Sequence, residues 1–163
     1  MIMPHRTLKV PERGMLDAYA ETLAARGYSA DPAQRAAAER LQRLYTELLS
    51  FKVARRSTFR RLLTRTDPPR GVYFWGGVGR GKSFLMDCFY DSVPYKRKKR
   101  IHFHAFMQQV HRQLDALKDQ ADPMDALAAN IARDVRLLCF DEFHVSDIAD
   151  AMILGRLLEA LFA

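Results

Sequence analysis

Residues 71–84 read GVYFWGGVGRGKSF, and the order of residue types within this stretch decides the fold class. Val72, Tyr73, Phe74 and Trp75 form a short β-branched and aromatic run stopped by Gly76 and Gly77, which predicts a buried parallel strand. From Gly76 to Ser83 the chain fits G-x-x-x-x-G-K-[ST], and a helix is expected from about Ser83. A glycine-rich turn between strand and helix lets backbone N–H groups converge on phosphate oxygens, where any side chain would block the anion. The helix N-terminus adds partial positive charge. Lys82 is then placed to reach the β and γ phosphates of a nucleotide, and Ser83 to offer its hydroxyl to Mg²⁺.

Downstream, residues 135–142 read VRLLCFDE, an apolar strand whose end delivers two adjacent carboxylates. Ligand sites in open parallel sheets lie at the carboxyl ends of strands. An acidic pair after a strand is often only a solvated turn, but with a phosphate loop in the same chain it acquires roles. Asp141 is expected to hold the Mg²⁺ shell, and Glu142 to orient and deprotonate the attacking water.

The rest of the chain supplies the scaffold. Leu16, Tyr19, Ala20, Leu23 and Ala24 recur at three and four and predict a helix over 15–26 stopped by Gly27. Asp31 reads as an N-cap with Pro32 at the first helical position and Gln34 closing a capping box, and the face Ala37, Leu41, Leu44, Tyr45, Leu48 carries that helix to about Ser50. Asp67, Pro68 and Pro69 form a turn before the phosphate-loop unit. Lys96 to Arg100 is expected on a turn, Ile101 to His104 as a strand, and Phe106, Val110, Leu114 and Leu117 as a helix face. Asp122 and Pro123 cap a further helix, and Ser146 caps one running through Leu154, Leu157, Leu158 and Leu161. Strand and helix in alternation predict a parallel sheet flanked by helices. His102 and His104 would share one side of a strand, yet no partner has ligand spacing, so they read as ordinary strand-end histidines. His144, two residues past Glu142, is a candidate for sensing the γ-phosphate.

Composition narrows the class. The chain has 163 residues, 48% apolar and 28% charged, which excludes intrinsic disorder and allows one ordinary domain or part of a larger one. Net charge is +7, but residues 1–100 carry +12 and residues 101–163 carry −5, so the first part suits a polyanion and the second a cation. Seven basic residues lie between Lys52 and Arg70, a segment that offers a nucleic-acid surface or a solvated basic face with little aromatic interleaving beyond Phe51 and Phe59. No run of about 18 apolar residues or secretory signal is visible, and Cys88 and Cys139 sit in apolar stretches as small buried hydrophobes, so a bacterial cytoplasmic location is expected.

Three stretches, GVYFWGGVGRGKSFLMDCFY, RIHFHAFMQQVH and LLCFDEFHVSDIADAMILGRLLEALF, resemble the AFG-type AAA+ ATPases, a family with members in bacterial cell division and in mitochondria. The resemblance runs from about Met15 to the last residue, with Phe143 to Met152 more family-specific than the loop itself. It implies a P-loop fold of AAA+ type, a helical basic segment over 1–70 and a partial ATPase core over 71–163. It further implies phosphate binding by Gly76, Gly77, Val78, Gly79, Gly81 and Lys82, with Arg80, Ser83 and Phe84 completing the nucleotide-binding stretch. Ser83 and Asp141 would hold Mg²⁺, while Lys82 and Glu142 would be catalytic. Implied partners are ATP, division-ring or other protein partners and further copies of the chain, with the protein peripheral at the division site. A nucleic-acid-handling ATPase of the helicase-loader type, gripping its ligand through residues 52–70, is the alternative. The family pattern also continues through a sensor strand, an arginine finger and a helical lid. The chain is therefore expected to be a truncated ATPase, weak or inactive alone, with an open sheet and an uncovered helix face at Leu154, Leu157, Leu158 and Leu161.

Overall fold

The computed structural model describes residues 14–56, 67–77 and 81–163. Packing divides the chain into two units, Met1–Pro94 and Tyr95–Ala163.

In the first unit, α1 (Met15–Ala25), α2 (Pro32–Arg56) and α3 (Lys82–Ser92) pack against one another. The ends of α1 are set by short-range chemistry. Its first turn is satisfied by Asp17, whose carboxylate accepts from Gly14 N, and by Gln42 of α2, which accepts from Leu16 N. At its C-terminus Gly27 takes φ +66°, so that Tyr28 N donates to Leu23 O and Gly27 N to Ala24 O, a closed Schellman end. The box expected at α2 forms in both directions: Gln34 N donates to Asp31 Oδ1 at 2.7 Å and Asp31 N to Gln34 Oε1 at 3.3 Å. The helix then runs beyond Ser50 to Arg56, because nothing in Phe51–Arg56 breaks it and Leu48 and Tyr45 anchor the preceding turns in the core. Met15, Tyr19, Ala38, Leu41, Leu44, Leu85, Cys88, Phe89 and Val93 are buried with them.

The stretch Val72–Trp75 departs from expectation. No strand is formed there, and Tyr73 and Trp75 stand 64% and 86% exposed. A β-run becomes a strand only when it joins a sheet, and the sheet among the described residues consists of two other segments, Lys98–His102 and Leu137–Asp141.

The second unit runs β1 (Lys98–His102), α4 (Phe103–Ala116), α5 (Pro123–Asp134), β2 (Leu137–Asp141) and α6 (Ile148–Phe162). The two strands pair in parallel, from Lys98 opposite Leu137 to His102 opposite Asp141. Three boundaries differ from those read in the sequence. Lys98, Lys99 and Arg100 are strand and not turn, since β2 supplies them with a partner. His104 lies in α4, so no strand face carries both histidines. Asp147, not Ser146, caps α6, its carboxylate accepting from Ala149 N at 2.6 Å.

The unit's core is Phe103, Phe106, Met107 and Val110 of α4, Met124, Leu127 and Ala128 of α5, and Leu154 and Leu157 of α6. Leu154 and Leu157 are thus covered, by α5, and Leu161 is partly buried against the same cluster, while Leu158 stays exposed. The expectation of an uncovered leucine face is overturned because α5 turns its own apolar face, starting at the Asp122 cap, against α6.

Candidate functional site

The phosphate loop belongs to the first unit. Gly81 takes φ +75° and is the N-cap of α3, a conformation that glycine adopts without the Cβ penalty of other residues. A Cβ built there would stand 3.0 Å from Gln34 Nε2, so the capping residue of α2 also lies against this turn. Gly76 likewise takes positive φ, +142°. The first turn of α3 has no acidic residue and no side-chain cap, which leaves its N–H groups open to an anion. Lys82 folds back over the turn, its Nζ donating to Gly76 O at 2.7 Å and Gly77 O at 2.6 Å. The turn therefore already holds a cation at the position where phosphate charge would be met. Ser83 is exposed. The Phe84 ring is engaged by α1 and its C-terminal turn, 5.6 Å from the Tyr19 ring and under the Arg26 guanidinium at 5.0 Å. Val78, Gly79 and Arg80 lie outside the described residues.

The acidic pair belongs to the second unit. Asp141 ends β2, and the next side chain but one, Phe143, tucks back into an aromatic cluster, 4.6 Å from Phe103 and 5.7 Å from Phe140. Phe140 is itself packed on Phe106 at 4.8 Å. With the strand fixed before it and the cluster after it, Glu142 has to reverse the chain alone, and it does so at φ +52°. That is the left-handed region, rare for Glu and costing roughly 1 kcal/mol or more, and such outliers gather at working sites. The reversal sends the carboxylate into solvent, 85% exposed, with His102 Nδ1 3.8 Å away. His144 is exposed as well.

Asp141 has a partner that the sequence reading missed. Arg100 Nε donates to Asp141 Oδ2 at 2.6 Å and Nη2 to Oδ1 at 3.0 Å. The signal lay in the strand register: Arg100 sits opposite Cys139, and residues two apart on β2 share a face. Between them Cys139 is buried, and burial pushes its thiol up to about 11, with Arg100 opposing and Asp141 adding to the shift. Among the described residues no three His, Cys, Asp or Glu side chains gather into a metal cluster.

The basic residues offered as a nucleic-acid surface are partly engaged within their own units. Lys52 Nζ donates to Pro94 O and Arg55 lies 5.4 Å over the Phe51 ring; outside that segment, Lys99 Nζ donates to Gln109 Oε1 at 2.9 Å. Phe59, Arg60, Arg61 and Arg65 lie outside the described residues.

Comparison with known proteins gives the family to which the glycine turn with its lysine and the acidic strand end belong: the chain is one of the AFG1-like ATPases, which it matches over residues 14–163. It is 46% identical over 156 residues to the cell division protein ZapE of Escherichia coli, an alignment covering 89% of this chain and 42% of that protein. It is 41% identical over 165 residues to an uncharacterised protein of Schizosaccharomyces pombe, covering 80% and 36%, and 47% identical over 110 residues to lactation elevated protein 1 homolog B of Danio rerio, covering 61% and 22%. The chain thus spans less than half the length of each of these relatives. No solved structure matches it. No helix among the described residues is long and apolar enough to cross a membrane.

Proposed function

We propose that this protein binds ATP with Mg²⁺ and hydrolyses its terminal phosphoric anhydride, and that hydrolysis drives the remodelling of protein partners in bacterial cell division. The observation that carries the ATP reading is the Lys82 amine held on the carbonyls of Gly76 and Gly77, at the mouth of an open helix N-terminus behind left-handed Gly81. Its cation is mobile, its amides are unopposed by acidic side chains, and an incoming phosphate offers stronger, charged acceptors than two carbonyls. The cell-division setting is supported by the likeness to the cell division protein ZapE, and action as a homo-oligomer in the cytoplasm at the division site is part of the same proposal. Residues 1–70 are assigned to a helical basic segment and 71–163 to the ATPase core. A helicase-loader role gains no support from the relatives, and two of the basic residues it would use, Lys52 and Arg55, are engaged within the fold.

The donor set suits the ion: a hydroxyl at Ser83 and a carboxylate at Asp141 are the hard oxygens that Mg²⁺ prefers. Amides of residues 76–84 hold the phosphates, and Lys82 leaves the loop carbonyls to lie on the β and γ phosphates. Mg²⁺, when bound, offsets charge that develops on the transferring phosphoryl group. Glu142 accepts the proton of a water whose oxygen bonds to the γ phosphorus while the bond to the β-phosphate oxygen breaks, releasing ADP and phosphate. Its exposure leaves it free to meet that water.

Lys82→Ala tests the reading. Affinity for a labelled, non-hydrolysable ATP analogue should fall by about tenfold or more, since the loop amides cannot replace the cation. Unchanged affinity would refute it.

A further inference from the structure

The Arg100–Asp141 pair carries an inference about how the metal enters, and it rests on the proposal that Asp141 is a metal ligand. Arg100 on β1 and Asp141 on β2 are diagonal neighbours on one sheet face. One guanidinium occupies both carboxylate oxygens, at 2.6 and 3.0 Å, the fork-on-fork geometry in which arginine binds carboxylates most firmly. The two side chains are only 27% and 17% exposed, so salt screens the pair less than a surface pair, and opening it strands a partly desolvated carboxylate.

We propose that Arg100 is the resident counter-ion of Asp141 and competes there with the nucleotide's Mg²⁺, so that Arg100 sets how much Mg²⁺ the site demands. A carboxylate offers about four lone-pair directions, and the guanidinium takes two of them. A divalent ion arriving at the others meets positive charge a few ångströms away, so either the pair opens or the ion is held less tightly. Arg100 acts through Asp141 and is a positioning residue: it fixes the carboxylate while the ion is absent and gives up at least one oxygen when the ion arrives. Displacing a two-pronged arginine favours an ion that brings further anchors, so Mg²⁺ carried on nucleotide phosphates should compete better than Mg²⁺ alone.

The test is a Mg²⁺ titration of the binding of a fluorescent, non-hydrolysable ATP analogue. Arg100→Gln keeps an amide donor and loses the charge, and it should reach half-saturation at roughly 3- to 10-fold lower Mg²⁺ than wild type. Arg100→Lys keeps the charge and should stay near wild type. In an Asp141→Asn background Arg100→Gln should bring no further change, which a merely structural role for Arg100 would not produce. A second measurement needs no variant: the Nε–H signal of Arg100, followed by NMR, should move when Mg²⁺ and the analogue are added together and stay put when the analogue is added with a chelator. An unchanged or raised Mg²⁺ requirement in Arg100→Gln, or an Nε–H signal indifferent to Mg²⁺, overturns the inference alone. Binding of the analogue that ignores Mg²⁺ in wild type overturns the metal role of Asp141, and the inference with it.

Discussion

Glu142 is the residue at which local chemistry and requirement disagree most. A glutamate gains nothing from the left-handed region, yet the strand before it and the aromatic cluster after it leave φ +52° as the way through. Asparagine tolerates that conformation better. Glu142→Asn should therefore raise stability by up to ~1 kcal/mol, read as a higher denaturant midpoint, while removing the proposed base. Glu142→Gln, which keeps the shape and the strain, should retain nucleotide and slow hydrolysis by roughly 10²-fold or more. Loss of nucleotide binding in Glu142→Gln would move Glu142 from water to the metal.

At the scale of elements, helix ends were the most legible part of the sequence. The spacing Asp31, Pro32, Gln34 predicts a reciprocal box, and both hydrogen bonds form. Asp31→Ala removes the acceptor for Gln34 N and should cost about 1 kcal/mol, seen as a lower melting temperature of the first unit. Because Gln34 also lies 3.0 Å from where a Gly81 Cβ would be, the same change should loosen the phosphate turn and raise the nucleotide Kd modestly. A full-strength cap loss without any change in affinity would separate α2 from the loop. Strand ends were less legible. Lys98–Arg100 looks like a solvated basic turn in one dimension and becomes strand because Leu137–Cys139 lies alongside.

At the scale of the whole molecule, the first unit's core holds a polar group that packing among the described residues leaves unmatched. Tyr45 is buried, its hydroxyl has no hydrogen-bond partner among the described residues, and burial raises its pKa. A buried hydroxyl without a partner is a net cost. Tyr45→Phe should accordingly be neutral or stabilise by up to ~1 kcal/mol in chemical denaturation. A clear loss of stability would mean that the hydroxyl is bonded to ordered water.

What the sequence determined by itself was whatever depends on near neighbours along the chain. The caps at Gly27, Asp31 and Asp122 work through bonds spanning a few residues, and all three are found in the described structure. The β-run ending in Asp141 was legible for a related reason, since a continuous apolar run closed by an acidic residue is the pattern of a strand that leaves the core at its end. Tertiary structure decided what depends on residues far apart. Val72–Trp75 has strand composition and no strand, because pairing is a property of two segments. Arg100 became the partner of Asp141 through the register of β1 on β2, across 41 residues of chain. Leu154 and Leu157, expected on an uncovered helix face, are core because α5 packs on it. Propensity and capping act within a turn or two, whereas counter-charges, covers and strand neighbours are chosen only when distant parts of the chain meet.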